Sequence, residues 1–350
     1  MKKKNKTLIF VLHDGIGNSV FEGQVLAPIE KKIKNNSLEK AIFISFEKKL
    51  INYKKFKSKN IFFIFLRKYP FLGELSLLPS IWALRKILKQ YDNYQIIARG
   101  PIAGWLCAKT IDFKMCTHFT IQARGLLAEE YAYAHKDKKN MIKKLVHAIR
   151  SWQFKNLEKK IYSIASKLPK TNIEAVSCAM KAHLHKNFKA KISNITVATD
   201  DIPDKIEKNK VLQWRAEIRK DLHIAHNAHV YCYNGSVKPW QCPQMVVDFF
   251  SSKIKHNNKS FLLVLTQDTQ QFEAIMQKAN IPKHNYVIKR VAHHNIYNYL
   301  AAADYGIIFR KNNIVNWVAR PTKILEYNAA GLEIIHNNTV GFLKNQAYKS

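Results

Sequence analysis

The sequence predicts an α/β protein with two domains, each built on a parallel sheet, that face each other across a cleft. Two observations predict this class. Short apolar runs of strand length alternate with longer amphipathic stretches, and the alternation stops at a polar segment and then starts again. Strands that alternate with helices are typical of parallel sheets. The chain has 350 residues, 47% of them hydrophobic, which is enough for two domains with separate cores.

The first domain is predicted over residues 1–190. Its apolar runs predict six strands, at 7–12, 41–46, 60–66, 94–99, 118–123 and 173–178. The longer amphipathic stretches between them predict helices that include 77–91 and 143–165. This alternation predicts a Rossmann-like domain, in which ligands bind at the carboxyl ends of the strands.

The second domain is predicted over residues 211–350, after a polar linker at 191–210 in which Asp200 and Asp201 are expected to be solvated. Its predicted strands are 228–236, 260–268, 285–291, 305–310 and 332–337. Its predicted helices are 242–256, 268–280, 293–304 and 322–330. The second domain is therefore also expected to be Rossmann-like.

Charge is the unusual property of the composition. Lysine and arginine number 58 against 25 acidic residues, which gives a formal net charge of +33. Such a chain attracts nucleic acid, an anionic membrane surface or phosphate-bearing ligands. A lysine-rich surface that reflects composition alone is the alternative, so charge does not choose the function.

The sequence favours a cytoplasmic location. No apolar run approaches the roughly 20 residues that span a bilayer. The first apolar run, 8–12, is shorter than the ~7–15 residues of a signal-peptide core and predicts a buried strand. The five cysteines are scattered without CxxC spacing, which indicates a reducing compartment and no zinc site.

The stretch VARPTKILEYNAAG, residues 318–331, combines features of an anion site. Pro321 suits the first position of a helix. The free N–H groups and the positive dipole end of that helix attract anions, and Arg320 and Lys323 add charge. Glu326, one turn further in, can accept hydrogen bonds from two vicinal hydroxyls, as in a ribose. Together these features describe a nucleoside-diphosphate site; an ion pair between Glu326 and a lysine is the structural alternative.

Two other strand ends carry residues suited to phosphate. Gly235 and Ser236 end a predicted strand and Lys238 follows them, while Arg310 ends another. Glycine lets the backbone approach a ligand closely, and the cations can meet its charge. A plain turn is the alternative for the glycine segment.

Residues 293–335 resemble the donor-binding half of the retaining glycosyltransferases of family 4, which have the GT-B fold. The pattern of the bacterial subgroup that makes lipopolysaccharide and capsule sugars matches Tyr299-Leu300, Ala301 to Asp304, Gly306-Ile307, Arg310, Pro321-Thr322-Lys323, Glu326-Tyr327 and Gly331. Looser similarity covers YNGSVKPWQ at 233–241, LLVLTQD at 262–268, and the N-terminal segments 14–25, 98–108 and 123–133. The resemblance thus extends over nearly the whole chain.

This resemblance implies transfer of a sugar from a nucleoside-diphosphate sugar to a glycan or lipid-linked acceptor, with retained anomeric configuration. It implies that Lys238, Lys323 and Arg310 neutralise the leaving diphosphate, that the amides around Pro321-Thr322 hold its β-phosphate, and that Glu326 binds the ribose. The expected donor site also includes Gly235, Ser236, Thr266 and Arg320. No metal is expected, because the sequence has no Asp-x-Asp, which argues against the metal-dependent GT-A class. The nucleoside-diphosphate sugar is a co-substrate, and no cofactor is expected.

The same resemblance assigns the N-terminal domain to the acceptor. The expected acceptor-side residues are His13, Gly15, Gly17, Asn18 and Arg124. His118, like His13, lies at the end of a predicted strand and is a further candidate; a packed or solvated histidine is the favoured alternative for each. The segment DGIGNSV is similar to a GxGxxG dinucleotide loop, but Val20 replaces the third glycine. An acceptor-side loop is therefore favoured over a dinucleotide site.

The chain also departs from the family pattern. Val318 lies eight positions before Glu326, where the family often has a first glutamate. Glu333 replaces a proline, Gly341-Phe342 replaces Gly-Asp, and the sequence ends at Ser350 where the family normally continues. These departures suggest a shortened or degenerate enzyme. The alternative function is a non-catalytic basic binding protein on a GT-B scaffold.

The stretch 52–73 interleaves basic and aromatic residues. It fits a nucleic-acid platform, a strand flanked by lysines, or a membrane patch, where each well-placed Lys or Arg adds about 1 kcal/mol on anionic lipids. Nucleic acid is the least favoured of the three partners. We expect a protein bound peripherally to the anionic inner face of the cytoplasmic membrane.

Overall fold

The computed structural model describes residues 7–16, 21–48, 59–136 and 140–344. The chain divides into two compact units, Met1–Asp201 and Ile202–Ser350. The division falls inside the segment 191–210 that the sequence predicts as a linker. The first unit extends past residue 190, because residues 195–197 form a strand of its sheet.

The first unit contains a seven-stranded sheet in which every neighbouring pair is parallel. Its strands are β1 (Thr7–Leu12), β2 (Lys40–Glu47), β3 (Ile61–Arg67), β4 (Tyr94–Arg99), β5 (Cys116–Ala123), β6 (Thr171–Ala175) and β7 (Ile195–Val197). The order across the sheet is β3-β2-β1-β4-β5-β6-β7, the order of a Rossmann fold with one strand added. The six predicted strands are confirmed, and β7 is additional.

Helices connect these strands. They are α1 (Ala27–Lys34), α2 (Leu78–Leu88), α3 (Gly100–Ala108), α4 (Leu127–His135), α5 (Met141–Ala165) and α6 (Cys178–Phe188), with short helical turns at Glu22–Leu26, Glu74–Leu77 and Ile192–Asn194. The helices α2 and α5 confirm the two predicted stretches. The sheet interior is apolar on both faces: β2 is buried from Ala41 onward, as expected for a parallel strand covered by helices.

The second unit repeats this plan with five parallel strands. They are β8 (His229–Asn234), β9 (Ser260–Leu265), β10 (Tyr286–Lys289), β11 (Tyr305–Ile308) and β12 (Glu333–His336). The order is β10-β9-β8-β11-β12. All five strands were expected from the sequence, and the order reverses between β8 and β11.

The helices of the second unit cover both faces of its sheet. They are α7 (Lys208–Asp221), α8 (Pro243–His256), α9 (Thr269–Lys278), α10 (Ile296–Ala301), α11 (Ile314–Val318), α12 (Thr322–Ala330) and α13 (Gly341–Lys344), with 3-10 turns at Pro239–Gln241, Lys283–Asn285 and His293–Asn295. One apolar cluster includes Leu263, Leu300 and Ile324, and the other includes Leu262, Val247 and Phe250.

Asp304, part of the family-like pattern, has a structural role in this unit. Its carboxylate accepts hydrogen bonds from the Val230 N–H at 2.8 Å and from Nη2 of Arg219 at 3.0 Å. Arg215 binds its other oxygen. Asp304 thereby fastens α7 to the starts of β8 and β11, although α7 is too polar to have been predicted as a helix.

In the described ranges, no helix is both long enough and apolar enough to cross a membrane.

Candidate functional site

The carboxyl ends of β8 and β11 lie side by side where the strand order of the second unit reverses. This is the position at which open α/β sheets bind ligands. The residues that follow β8, the residues that follow β11 and the start of α12 are the ones on which the sequence predicts a donor site.

Glu326 is fixed at this edge of the sheet by Asn234, the last residue of β8. The Asn234 side-chain amide donates a hydrogen bond to Oε2 of Glu326 at 2.8 Å, and its backbone N–H donates to the Tyr327 hydroxyl at 2.9 Å. Glu326 is half-buried and forms no ion pair with any described lysine. The structural alternative, a Glu326–lysine ion pair, is therefore not seen. The sequence reasoning missed Asn234, which the YNGS run could have indicated.

Two cations of this edge, Lys323 near Glu326 and Arg310 near Lys323, form no ion pair with a carboxylate in the described part of the chain. Lys323, in the first turn of α12, is half-buried; burial lowers its pKa, with Glu326 acting in the opposite direction and Arg310 in the same one. Arg310 is only 8% exposed, and burial lowers its pKa as well. Its guanidinium donates to the carbonyl of Phe309 at 3.0 Å. Charges removed from water without a counter-ion are costly, so this edge of the sheet suits an anion.

The start of α12 differs by one residue from the prediction. The helix begins at Thr322, and Pro321 is its N-cap, with φ −58° and ψ 130°. Pro321 is therefore not the first helical residue, because its extended ψ precedes the helical turn. The Ile324 N–H donates to the Pro321 carbonyl at 3.1 Å. The N–H groups of Thr322 and Lys323 lack intrahelical acceptors, as in any first helical turn, and remain available to an anion.

The loop after β8, residues 235–241, is held closed by its own side chains. The Gln241 side chain accepts from the Ser236 N–H at 3.3 Å and donates to the Ser236 hydroxyl at 3.0 Å. The Tyr233 hydroxyl donates to the Ser236 carbonyl at 2.7 Å. A Cβ on Gly235 would lie 2.5 Å from Oε1 of Gln241 and 2.6 Å from the Tyr233 hydroxyl. Only glycine fits there, so Gly235 is required by the loop itself.

Thr266 and Lys238 occupy different positions relative to this loop. Thr266 is buried, and its hydroxyl accepts from the Asp268 N–H at 3.1 Å. Asp268 in turn accepts from the Val237 N–H at 3.0 Å, so Thr266 supports the loop from behind. Lys238 is exposed, with Nζ 5.2 Å from the centre of the Trp240 ring.

Arg320 and Val318 lie inside the second unit. Arg320 is buried, and its guanidinium lies 5.8 Å from the centre of the Phe342 ring. Val318, at the end of α11, has no exposed surface. Packing therefore accounts for both side chains at least in part, and the position of the family's first glutamate belongs here to the core.

In the first unit, His13 and Gly15 follow β1 and reach the carboxyl edge of that sheet. His13 is buried, with its ring 5.7 Å from that of Phe46 and no hydrogen bond to Nε2 among the described residues. Burial, assisted by the charge of Lys68, lowers the pKa of His13 to about 3, so the ring is neutral at physiological pH. Gly15 has φ +78°, and a Cβ there would lie 2.7 Å from Oε2 of Glu47. Gly17 and Asn18 lie outside the described residues.

Arg124, after β5, is tied down by two carboxylates. Nη1 donates to Asp201 and Nη2 to Glu174, each at 2.9 Å. The side chain of Asp201 is only 4% exposed, so the prediction that Asp201 is solvated is wrong. Asp200 stays more exposed and pairs with Lys32 at 2.5 Å. These pairs depend on residues far apart in the chain, which explains why the sequence did not reveal them.

Arg99 is a residue of this edge that sequence reasoning missed. It ends β4 next to β1, is buried, and donates from Nη2 to Gln24 at 2.9 Å. Its Nη1 has no hydrogen bond in the described part of the chain. Burial, reinforced by the charge of Arg124, lowers the pKa of Arg99 to about 10. The other candidate, His118, is exposed near the start of β5, at the opposite edge of the sheet from His13.

Among the described side chains, no group of three or more His, Cys, Asp or Glu is arranged to hold a metal ion.

Comparison with solved structures identifies the fold. A glycosyltransferase from Rickettsia africae ESF-5 matches with a TM-score of 0.67 and 17% identity over 97% of this chain and 81% of its own. Anabaena Alr3699/HepE, solved with UDP and glucose, matches with a TM-score of 0.63 and 13% identity over 96% of this chain and 82% of its own. WaaG, a glycosyltransferase involved in lipopolysaccharide biosynthesis, matches with a TM-score of 0.59 and 14% identity over 98% of this chain and 84% of its own. No family model and no curated protein sequence matches the chain. The chain has the GT-B fold, as predicted.

Proposed function

We propose that this GT-B chain is a retaining glycosyltransferase that moves a sugar from a nucleoside-diphosphate sugar to a glycan or lipid-linked acceptor in cell-surface polysaccharide synthesis. The observation that carries the proposal is the pair Lys323 and Arg310, a half-buried and a buried cation that form no ion pair among the described residues, together with the carboxylate of Glu326, which is fixed by Asn234. A nucleoside diphosphate has both complementary parts, a dianionic diphosphate and a ribose diol.

The diphosphate would bind at the start of α12. The N–H groups of Thr322 and Lys323 point out of the helix start, where the helix dipole also favours negative charge. Lys323 and Arg310 add full charges, and Lys238 reaches the same edge from the loop after β8. As the bond to the sugar breaks, negative charge grows on the leaving diphosphate. Fixed donors stabilise that charge more than they stabilise the ground state, which lowers the barrier through an oxocarbenium-like transition state.

The ribose would bind at Glu326. Oε2 of Glu326 already accepts the Asn234 amide, which orients the carboxylate and leaves Oε1 and the second lone pair of Oε2 for two hydroxyls. Because the carboxylate lies one helical turn beyond the amides of α12, a nucleotide can contact both at once. Gly235 and Ser236 border the same space from β8, and Thr266 supports them.

The acceptor would bind the first unit at the carboxyl edge of its sheet. The neutral ring of His13 lies at this edge, and Nη1 of Arg99 is buried without a hydrogen-bond partner among the described residues, so an acceptor hydroxyl that reached it would gain a donor. Arg124 is held by Glu174 and Asp201 and supports this edge. We extend the proposal to a protein that works in the cytoplasm at the anionic inner face of the membrane, where lipid-linked acceptors lie. The net charge of +33 supports this location.

The solved structures support the donor class. Anabaena Alr3699/HepE has been solved with UDP and with UDP-glucose, and WaaG is described as acting in lipopolysaccharide biosynthesis. The proposal requires no metal, because protein cations and amides supply the positive charge at the diphosphate.

One observation favours the second candidate, a binding protein without turnover. Val318 is buried where the family often has a glutamate, so a donor contact of the family is missing. The two candidates differ in chemistry: only the transferase is required to bind a sugar nucleotide and to release free nucleoside diphosphate.

Two measurements test the proposal. The melting temperature is recorded with UDP-, GDP- and ADP-sugars, and donor hydrolysis across the same panel is followed by mass spectrometry. The transferase predicts that one donor class stabilises the protein by mass action and is slowly hydrolysed. Stabilisation without any hydrolysis or transfer would favour the binding protein, and no stabilisation by any of these nucleotides would overturn the transferase.

A further inference from the structure

The first three turns of α5 carry an apolar stripe that faces solvent. Met141, Leu145, Ile149 and Trp152 recur at helical spacing and are all exposed, Met141 by 82% and Trp152 by 64%. Ile142 and Val146 widen the stripe and are exposed too. Single exposed apolar residues are ordinary, but a contiguous apolar face marks an interaction surface.

The stripe is not an unpacked part of the core, because a different face of α5 holds the helix in place. His147 forms a hydrogen bond of 2.6 Å with the Tyr131 hydroxyl, and the Ser151 hydroxyl donates to the Ala128 carbonyl at 3.2 Å. From Phe154 onward, the side of the helix that carries His147 and Ser151 is buried. The helix therefore presents its apolar stripe outward from a fixed base.

A second apolar row lies on and before α2. Leu72, Leu75, Leu78 and Trp82 are spaced three or four residues apart and are exposed. The two rows belong to one side of the first unit, because the rings of Phe71 and Phe154 stack with centres 4.7 Å apart. Lys160 and Glu74 also pair across the junction at 2.5 Å. We call the two rows together the α2–α5 surface.

The charges on the two helices of this surface are mostly positive, although Lys155 and Lys160 pair with Glu129 and Glu74 of neighbouring segments. The exposed or half-buried cations of the two helices are Lys143, Lys144, Arg150, Lys155, Lys159, Lys160, Arg85 and Lys86. The only acid of α5 is Glu158, which is fully buried, and α2 has none. A lipid bilayer with anionic headgroups matches both properties, an apolar interior below a negative surface. A second copy of this chain would instead bring like charges together.

We propose that the α2–α5 surface binds the interface of an anionic membrane, with its aliphatic residues among the acyl chains and Trp82 and Trp152 at the level of the headgroups. Tryptophan prefers that level, and flanking lysines meet the lipid phosphates. The inference stands on this surface and not on the transfer reaction. The sequence suggested the stretch 52–73 as a membrane patch, and the proposal assigns membrane binding to other residues. Within that stretch, 52–58 lie outside the described residues, and only Leu72 belongs to the α2–α5 surface.

The test is co-sedimentation of the full chain with vesicles of phosphatidylcholine alone and of phosphatidylcholine with 30% phosphatidylglycerol. The double variant Leu145→Glu/Ile149→Glu is compared with Leu212→Glu/Met245→Glu, which alters exposed apolar residues of the second unit. We expect the wild type and the control to bind the anionic vesicles and the stripe variant to bind at least tenfold more weakly. Lys143→Gln/Lys144→Gln should weaken binding and reduce its salt dependence.

Equal binding by the stripe variant and the control would overturn the proposal, as would a wild type that binds neither vesicle. If the wild type is a dimer without lipid and the stripe variant is a monomer, the surface binds a second copy of the chain. That result would also overturn the proposal. The melting temperature with and without a nucleoside-diphosphate sugar is measured for each variant. Melting temperatures that match the wild type show that a variant is folded. An unchanged shift with the nucleotide sugar shows that its donor site is intact, so a loss of membrane binding is then distinct from a failure of the donor site.

Discussion

The ring of Tyr327 packs directly against the α-carbon of Gly306. A Cβ on Gly306 would lie 2.3 Å from Cδ2 of Tyr327, so only glycine permits this approach. The Tyr327 hydroxyl accepts from the Asn234 N–H at 2.9 Å and donates to the Cys232 carbonyl at 3.4 Å. One side chain thus links β11, α12 and β8, the three elements that form the candidate donor site.

Gly306→Ala is expected to displace Tyr327 and to destabilise the protein by about 1–3 kcal/mol, as overpacking of a core does. Nucleotide affinity should fall with it, because Asn234 loses its fixed position beside Glu326. Urea denaturation measures the first effect and nucleotide titration the second. In a Tyr327→Ala background the alanine at position 306 has room, so Gly306→Ala should lower the free energy of unfolding by less. An equal loss of stability in both backgrounds would show that the steric contact with Tyr327 is not the cause.

Glu326→Ala is expected to weaken binding of the nucleoside diphosphate by roughly 10- to 100-fold, since hydrogen bonds to a charged group contribute about 1.5–3 kcal/mol. Isothermal titration calorimetry with the donor that stabilises the wild type measures the change. Glu333→Ala removes an exposed acid from β12 and should leave the affinity unchanged. Equal affinities for the two variants would refute the ribose role of Glu326.

Lys323→Met is expected to lower kcat by about 10²–10³, the usual effect of removing one donor to a developing charge. Without ligand the same variant should be as stable as the wild type or more stable, because it removes a half-buried cation that pairs with no described carboxylate. Lys311→Met, at an exposed position after β11, should change neither quantity. A loss of both stability and activity in Lys323→Met would instead mark Lys323 as a structural residue.

Glu158 is expected to make the protein less stable as pH rises from about 4.5 to 8. It is fully buried and accepts from the N–H groups of Leu127 and Ala128 at the start of α4; burial raises its pKa to about 8. In this interval the folded state holds a proton that the unfolded state releases. Stability therefore falls with pH, by up to about 1.4 kcal/mol per unit from this group.

Urea midpoints at pH 5, 6.5 and 8 measure this dependence on pH. Glu158→Gln has no titrating proton and should flatten the curve relative to the wild type. Glu129→Gln changes a more exposed acid that pairs with Lys155 and should leave the slope as it is. A wild-type slope that survives in Glu158→Gln would assign the effect to another group.

The sequence predicted the strands well because parallel strands buried on both faces are continuous apolar runs. Elements held by specific contacts were harder to predict. Strand β7 has three residues inside a polar segment, and α7 is polar but anchored by Asp304 through Arg215 and Arg219. Both β7 and α7 depend on contacts with residues distant in the sequence, which the local hydrophobic pattern does not show.

In the candidate site, too, residues in a local motif were predicted and residues held by distant partners were missed. The 318–331 stretch placed Lys323 and Glu326 at a helix start from local spacing alone. Asn234 and Arg99 were missed because their importance comes from neighbours distant in sequence, 92 residues away for the Asn234–Glu326 bond and 75 for the Arg99–Gln24 bond. Arg320 was expected to face the donor, but its contact with Phe342 could not be anticipated from its position beside Pro321.

The burial of Val318 limits which residues this position accepts. A glutamate introduced there by one substitution would be a buried carboxylate, at a cost of several kcal/mol, a large fraction of the stability of an ordinary domain. Neighbouring side chains would have to shrink or become polar before that acid could be tolerated. Position 318 can therefore accept a carboxylate only through several coordinated substitutions, and not through one.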